Sequence, residues 1–262
     1  MNRPARPWLV LVAPLGLGLI ILTIWYAVTA TGFVSARDLP TPAAVAGELY
    51  ASMFSPADIW PFVWNTVQEA VAGCLAGLVV ALPLAVLIYR SRVVSAAVIP
   101  FLGATQAIPA IALANLLIIW VGYGLKSIAT LCALMVFFPI LVSSVVGFRH
   151  IDKDVLAAAQ VDGAGSAAIL LWIELPLALH SILAGVRNGF TLSITGAVVG
   201  EMVMGGRGLG SLLAVQRGSH NMPGMFATII VLTALAAIIY SGVSLIERRW
   251  SDLTAPPPRG GR

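Results

Sequence analysis

The sequence has few charged residues for its length: Asp, Glu, Lys and Arg together make up 10% of its 262 residues. Soluble globular domains carry about 25%. Hydrophobic residues make up 59% and the mean hydropathy is +0.96, which excludes water as the main solvent. A bilayer core about 30 Å thick requires roughly 20 apolar residues per spanning helix. We therefore predict an all-α polytopic membrane protein.

Lysine occurs only twice, at positions 126 and 153. The phosphate-binding loop of an ATPase needs Gly-Lys-Ser or Gly-Lys-Thr, because its lysine reaches the terminal phosphates from a glycine-rich turn. Lys126 follows Leu125 and Lys153 follows Asp152, so neither belongs to such a loop. The chain cannot hydrolyse ATP by that route. We predict that it is not an enzyme and that its energy comes from a partner.

Residues suited to hydrolysis or metal binding are also scarce. The candidate nucleophile Ser166 lies between His150 and His180, but neither histidine has the helical spacing or the partner carboxylates of a catalytic base. Cys74 and Cys132 lie inside apolar runs and are interpreted as small buried side chains. We predict no catalytic residue, no metal site and no cofactor in this chain.

Six apolar runs are long enough to cross a bilayer. They are Trp8 to Ala30, Val63 to Tyr89, Val93 to Val121, Ile128 to Phe148, Leu175 to Met204 and Met225 to Ile246. The first run lacks a cleavage pattern, so we predict a retained helix and not a signal peptide. The predicted domains are a cytoplasmic N-terminus (1–7), a transmembrane domain (8–250) and a disordered cytoplasmic tail (251–262).

The fifteen Lys and Arg residues are distributed unevenly between the two sides of this arrangement. Ten lie at the chain ends and in the segments after the second and fourth runs, four lie in the alternate segments, and Arg187 falls inside a run. Cytoplasmic loops retain positive charge, so we predict that both termini are cytoplasmic. The net charge of +4 then reflects topology, and we predict no nucleic-acid partner.

Two connections and two motifs inside the runs carry structural signals. Ala43 to Phe54 is predicted to form a short helix at the outer interface. The glycine-rich stretch Gly205 to Pro223 is predicted to be an outer loop. Gly73 and Gly77 form a Gly-x-x-x-Gly pair, which we interpret as packing within the subunit more than as a dimer contact. Pro109 is expected to kink the third helix.

Ionisable residues are rare inside the runs. Glu69, Arg187 and Glu201 are predicted to lie near helix ends and not at helix centres. A proton-coupled carrier is expected to hold such residues in mid-membrane, because charge there is costly and is usually retained for function. The predicted placement favours a pathway that is powered from outside the chain.

The inner connection that begins at Arg149 contains a short helix. Val155 to Gln160 is rich in alanine, which has the strongest helix propensity. Asp152 or Asp154 can cap the start of this helix, and Gly163 is predicted to end it.

A second short helix, Ser166 to Ile173, is predicted to follow. Pro176 comes three residues later and suits the first turn of the next spanning helix, where no backbone donor is needed. The small side chains of this connection would let another protein's groove pack closely against it.

These residues keep the spacing of a known motif. The sequence resembles the inner-membrane permeases of bacterial binding-protein-dependent ABC importers, whose inner loop reads Glu-Ala-Ala, three residues, Gly, nine residues, Ile-x-Leu-Pro. The matching residues are Ala157, Ala158, Ala159, Gly163, Ile173, Leu175 and Pro176. Ala157 stands at the position of the family's glutamate, so a salt bridge to the ATPase would come from Asp154 or Asp162. The resemblance implies that residues 150–176 form the segment that couples to the ATPase.

The resemblance covers about residues 39–250 and is closest to the nitrate, sulfonate, taurine and pyrimidine-precursor branch. Its further marks are Leu39-Pro-Thr-Pro, Gln106-Ala-Ile-Pro109, Trp120-Val-Gly-Tyr-Gly124, Phe137-Phe-Pro139 and Glu201-Met-Val-Met-Gly-Gly-Arg-Gly-Leu-Gly210. Asn65-Thr-Val-Gln-Glu69 and Thr105-Gln106 are nearer to thiamine-pyrimidine precursor permeases than to sulfonate permeases, in which arginine is common at the position of Glu69. Asn115 departs from the proline usual in the family.

The resemblance implies a type I importer permease with about six transmembrane helices in the bacterial inner membrane. The implied partners are two ATPase subunits that hold ATP and Mg, a second permease subunit in a homodimer, and an extracytoplasmic solute-binding protein. The implied solute is a small polar molecule of the sulfonate, nitrate and taurine class or of the thiamine-pyrimidine precursor class. Two alternatives stay open: a membrane anchor for a partner ATPase, and an ion-coupled secondary carrier.

Three polar residues are candidates for the translocation path or its gate. Gln106 and Asn115 lie in the third run, where an uncharged amide either lines a path or bonds to a neighbouring helix. Glu201 lies near the outer end of the fifth run, just before the glycine-rich stretch. Its carboxylate is interpreted either as a gate at the outer mouth or as a helix-end group bonded to nearby backbone.

Overall fold

The computed structural model describes residues 7–35, 37–54 and 59–254, and every regular element in these ranges is helical. The helices are α1 (Pro7–Ala30), α2 (Pro42–Phe54), α3 (Trp60–Arg90), α4 (Arg92–Thr105), α5 (Ala110–Val121), α6 (Leu125–Arg149), α7 (Lys153–Val161), α8 (Ser166–Ile169), α9 (Leu175–Met204), α10 (Leu209–Gly218) and α11 (Met222–Thr254). A π-helical turn, Leu170–Glu174, joins α8 to α9. The all-α prediction is confirmed.

Four helices of the described chain are long and apolar enough to cross a membrane: Trp60–Arg90, Leu125–Arg149, Ser166–Met204 and Met222–Glu247. They correspond to the second, fourth, fifth and sixth apolar runs. α1 corresponds to the first run, and its 24 residues extend about 36 Å at about 1.5 Å per residue. These lengths are those of a multi-pass membrane protein.

The ends of the chain bear on two predictions made from composition. α11 continues to Thr254, into the stretch predicted to be a disordered tail. The rest of that tail, 255–262, and the predicted cytoplasmic N-terminus at 1–6 lie outside the described residues.

The third predicted helix, Val93 to Val121, is wrong as a single element. The chain forms α4 and α5 instead, with residues 106–109 between them outside any helix. Pro109 has extended backbone angles, φ −60° and ψ 130°, and immediately precedes α5. Proline has no N–H to donate within a helix and disfavours helical angles in the residue before it. The predicted kink is therefore a complete break.

The chain contains two compact units. One comprises the described residues up to Trp60 together with Leu212–Val231. The other comprises Pro61–Ser211 together with the described residues from Leu232 onward. All the candidate residues named from the sequence lie in the second unit.

In the first unit, side chains tie α1 to the residues before α2. The Trp25 indole N–H donates to the Pro40 carbonyl at 3.0 Å, and the Trp25 ring stacks on Phe226 with centroids 5.9 Å apart. The Asn221 amide donates to the Glu48 carboxylate at 3.2 Å. The predicted short helix at 43–54 is present as α2.

In the second unit, α3 packs closely on α6 because glycines lie at the contact. A Cβ atom at Gly73 would lie 2.1 Å from Cys132 Cβ, and a Cβ atom at Gly77 would lie 2.3 Å from Val136 Cγ2. Both distances are far too short for real atoms. The glycine pair therefore serves packing within the subunit, as predicted. α9 lies against the length of α6 in the same core.

The glycine-rich stretch predicted as a loop contains a helix. Gly205 ends α9 and has φ +72°, an angle that favours glycine, as predicted for this stretch. Leu209–Gly218 then forms α10, so the loop prediction is wrong for these ten residues. The helix forms because Leu209-Gly-Ser-Leu-Leu-Ala-Val places apolar side chains at helical spacing.

Candidate functional site

α7 presents a surface of small side chains. Its start is capped by Asp152, whose carboxylate accepts the backbone N–H of Asp154 at 2.9 Å, as predicted. No residue of α7 is buried. Ala157 and Ala158 are exposed and Ala159 is half-buried. Because methyl groups project little, another protein can approach this helix closely.

The end of α7 requires glycine at position 163. Gly163 has φ +80°, and its N–H donates to the Gln160 carbonyl at 3.1 Å. The N–H of Ala164 donates to the Ala159 carbonyl at 3.1 Å, which completes a paired helix-ending turn. A Cβ atom at Gly163 would meet no atom within 4 Å, so the backbone angle and not packing imposes the glycine.

Pro176 lies in the first turn of α9, as predicted, but the chain is helical without interruption from Ser166 to Met204. The π-helical turn explains why the helix continues. The Leu175 N–H donates to the Leu170 carbonyl, five residues back, which widens the helix just before the proline. A widened turn moves the preceding carbonyls away from the Pro176 ring, where an ordinary α-helical turn would clash.

The same turn directs Glu174 into the protein, where it is 2% exposed. Its Oε2 atom lies 2.6 Å from Arg90 Nη2, and the Tyr89 hydroxyl donates to its Oε1 atom at 3.1 Å. Arg90 Nη2 also donates to the Ser166 carbonyl at 3.4 Å. The C-terminal end of α3 is thus bonded to both ends of the helical stretch that follows α7.

Sequence reasoning missed Glu174, because it occupies the variable position of Ile-x-Leu-Pro. A signal was present: a single acidic residue within Ile169-Leu-Leu-Trp-Ile-Glu-Leu-Pro needs a buried partner. Arg90, predicted on the same side of the membrane, was an available cation.

Residues 106–109, between α4 and α5, line a cavity of about 360 Å³, which we call the Gln106 cavity. Its walls come from α5, α6 and α9 and include Gln106, Pro109, Leu113, Met135, Phe138 and Leu192. None of the described residues that line it carries a charge. The Gln106 amide therefore supplies the side-chain hydrogen-bonding capacity of an otherwise apolar and aromatic space.

The other two path candidates are not brought to this cavity. The Asn115 amide donates to the Ile111 carbonyl of its own helix at 3.0 Å, and Asn115 does not line the cavity. Glu201 is 1% exposed and accepts the Thr66 hydroxyl at 2.7 Å. The structure thus separates the three residues that the sequence proposed together.

Glu201 holds the start of the glycine-rich stretch. The Gly210 N–H donates to its carboxylate, and a Cβ atom at Gly208 would lie 1.9 Å from Glu201 Oε1. The Thr66 hydroxyl, bonded to Glu201, also accepts the Leu209 N–H at 2.8 Å. These bonds match the interpretation of Glu201 as a helix-end carboxylate bonded to nearby backbone.

Two intramembrane charges lie farther from helix ends than predicted. Arg187 is the thirteenth of the 30 residues of α9, and Glu69 is the tenth of the 31 residues of α3. Arg187 Nη1 pairs with Glu247 Oε2 at 2.6 Å, and its guanidinium lies 5.1 Å from the Tyr240 ring centroid. The ion pair with Glu247, 60 positions away, stabilises the charge of Arg187 inside the helix. The apolar runs alone do not reveal this pairing.

The architecture and motifs agree with known proteins. The family described as "Binding-protein-dependent transport system inner membrane component" matches residues 73–252. A riboflavin transport system permease protein of Chloroflexus aurantiacus is 38% identical over 236 residues, covering 88% of this chain and 87% of the relative. A taurine transport system permease protein of Escherichia coli is 26% identical over 234 residues, covering 88% and 85%.

The fold is also that of a solved transporter. An inward-facing structure of the MetNI methionine ABC transporter matches with a TM-score of 0.67 and 22% identity, over 76% of this chain and 99% of that chain. That likeness confirms the predicted importer-permease architecture. The chain belongs to the family of binding-protein-dependent transport system inner membrane components.

Proposed function

We propose that this permease subunit of an ABC importer translocates a small uncharged solute with a planar ring system. The Gln106 cavity supports this proposal. Phe138 and Met135 offer flat and polarisable contacts, and the Gln106 amide can exchange hydrogen bonds with ring N–H and C=O groups. A sulfonate or nitrate ion in such a cavity would lack a cation, and burying an unpaired ion costs several kcal/mol.

The identities of the relatives support the same solute class. Riboflavin contains a planar nitrogen heterocycle, and its named permease is 38% identical to this chain. Taurine carries a sulfonate, and its named permease is 26% identical. The predicted sulfonate, nitrate and taurine class is therefore the less favoured of the two solute classes named from the sequence.

The partners proposed from the resemblance have a docking surface in α7. Two ATPase subunits would receive the exposed face around Ala158, and ATP and Mg would bind in those subunits. Asp154 lies in the first turn of α7, where it can meet a cation of the ATPase in place of the glutamate replaced at Ala157. A second copy of the permease and an outer solute-binding protein complete the proposed importer.

The proposed mechanism is alternating access in the bacterial inner membrane, with both termini cytoplasmic. ATP-driven closure of the ATPases would displace α7, and the Arg90–Glu174 pair would carry that displacement to α3. The α4–α5 break lies on the path, where helix ends can reorient without breaking a continuous helix. Solute would pass along the Gln106 cavity.

The test is stimulation of ATP hydrolysis in the assembled complex by solute-binding protein loaded with riboflavin or with taurine. We expect stimulation by the ring-containing solute. Stimulation by taurine alone would contradict the proposed solute class and leave the importer assignment intact. Stable ATPase binding without stimulation by any loaded protein, and without solute movement, would favour a membrane anchor.

A further inference from the structure

A second cavity, of about 370 Å³, lies among the inner ends of α3, α4 and α6. Tyr89, Arg92, Ser95 and Arg149 supply its polar side chains, and Ile88, Ile99 and Pro100 supply apolar walls. None of the described residues that line it is acidic. We call it the two-arginine cavity.

The two arginines carry charge that the protein leaves uncompensated. Among the described residues, the ion pairs engage Arg90 and Arg187, and none engages Arg92 or Arg149. Arg149 Nη2 donates to Ser95 Oγ at 2.9 Å, which holds that guanidinium against α4. A guanidinium stays protonated at any physiological pH, so the cavity is permanently cationic.

We propose that the two-arginine cavity binds the phosphate of an anionic phospholipid of the cytoplasmic leaflet. Guanidinium groups form paired hydrogen bonds with phosphate oxygens, and basic pockets at helix ends on this side of a membrane suit anionic head groups. The leaflet follows from the proposed orientation, whereas the binding chemistry does not depend on it.

The apolar surroundings distinguish a lipid from a soluble phosphate or an acidic patch of a partner. Ile99 lines the cavity beside Pro100 and is 43% exposed. The apolar wall that Ile99 and Pro100 form beside the two arginines would lie against acyl chains. A free phosphate or a carboxylate would leave this apolar surface unused.

The experiment measures bound lipid on the delipidated permease–ATPase complex by native mass spectrometry. The probes are short-chain phosphatidylglycerol, short-chain phosphatidylcholine and inorganic phosphate. We compare wild type with Arg92→Gln/Arg149→Gln, with Arg92→Lys/Arg149→Lys, and with Arg249→Gln, which removes an exposed inner charge elsewhere. Transport is assayed separately, so loss of lipid binding and failure of the transport proposal are distinguishable.

We expect phosphatidylglycerol to bind wild type and Arg249→Gln equally. The double glutamine variant should bind it on the order of thirtyfold more weakly, since each basic side chain near an anionic head group contributes about a factor of five. The double lysine variant, which keeps both charges, should retain most of the binding. It therefore provides a second measurement if the glutamine variant misfolds. Equal binding of phosphatidylglycerol by the glutamine variant, equal binding of phosphatidylcholine by wild type, or equal competition by inorganic phosphate would overturn the proposal.

Discussion

Arg90 and Glu174, 84 positions apart in the sequence, form an ion pair of 2.6 Å that joins the C-terminal end of α3 to the π-helical turn that follows α8. The Glu174 side chain is 3% exposed and the Arg90 side chain 39% exposed. One partner is therefore buried and the other can still reach water. A displacement of the coupling segment that preserves this pair must also displace α3.

Replacing either partner of this pair should uncouple ATP hydrolysis from transport. Breaking a buried pair costs about 3–5 kcal/mol, and exposure of Arg90 places the expected cost at the lower end. We expect Arg90→Gln to reduce solute uptake per ATP hydrolysed, with the complex still assembled. Uptake and ATPase rate are measured together, with Arg249→Gln as control. An unchanged ratio in Arg90→Gln would show that the pair does not transmit movement.

The exposed face of α7 should be the ATPase docking surface. Ala158→Trp places a large side chain where the helix now presents a methyl group. Because Ala158 is exposed, we expect normal expression of the permease but loss of ATPase co-purification. Ala51→Trp makes the same change on the exposed face of α2 and should have no effect. Equal recovery of the ATPase with both variants would contradict docking at α7.

Gly163 should be required for its backbone angle. At φ +80°, a residue with a Cβ atom costs about 1–2 kcal/mol. We expect Gly163→Ala to loosen the end of α7 and weaken ATPase co-purification, and Gly163→Asn to be less severe because asparagine tolerates this angle better. Protease accessibility of the segment reports the loosening. Alanine and asparagine variants that behave alike would argue against the backbone explanation.

Gln106 and Asn115 should differ in their effect on transport. Gln106 lines the cavity, whereas the Asn115 amide donates to a carbonyl of its own helix. Loss of one solute hydrogen bond costs about 0.5–1.5 kcal/mol, so we expect Gln106→Leu to weaken solute-dependent uptake roughly two- to tenfold. Asn115→Leu should leave uptake unchanged. Equal losses in both variants would favour the broader path predicted from the sequence.

Glu201 should matter for stability. Its removal leaves the Thr66 hydroxyl and the Gly210 N–H without their buried acceptor, at a cost of about 1–3 kcal/mol for each unsatisfied group. We therefore expect Glu201→Ala to lower the melting temperature and to impair transport. Thermal unfolding and uptake are measured on the same preparation. Lost uptake with an unchanged melting temperature would support the gate interpretation.

The sequence allowed prediction of features that local chemistry decides. The Asp152 cap and the turn at Gly163 follow from residue type at a given spacing, and both are present. Features that depend on distant partners were not predictable in the same way. Glu174 and Arg187 form ion pairs with residues 84 and 60 positions away, and the spacing of apolar residues does not predict such pairs.

The break at Pro109 and the continuous helix through Pro176 show a second limit. Both prolines follow apolar residues, and the sequence suggested a kink at the first and a helix start at the second. The structure breaks the helix at Pro109 and accommodates Pro176 with a π-helical turn. The outcome depends on whether the turn before the proline widens, as it does at Leu170–Glu174, and the sequence pattern does not reveal this.

The most direct measurement is uptake of radiolabelled riboflavin into proteoliposomes that contain the permease, its ATPase and solute-binding protein outside. ATP is enclosed in one set, and an imposed proton gradient without ATP is used in the other. ATP-driven import of a ring-containing solute predicts uptake in the first set and none in the second. Uptake driven by the gradient alone, or equal uptake of taurine and riboflavin with ATP, would contradict it.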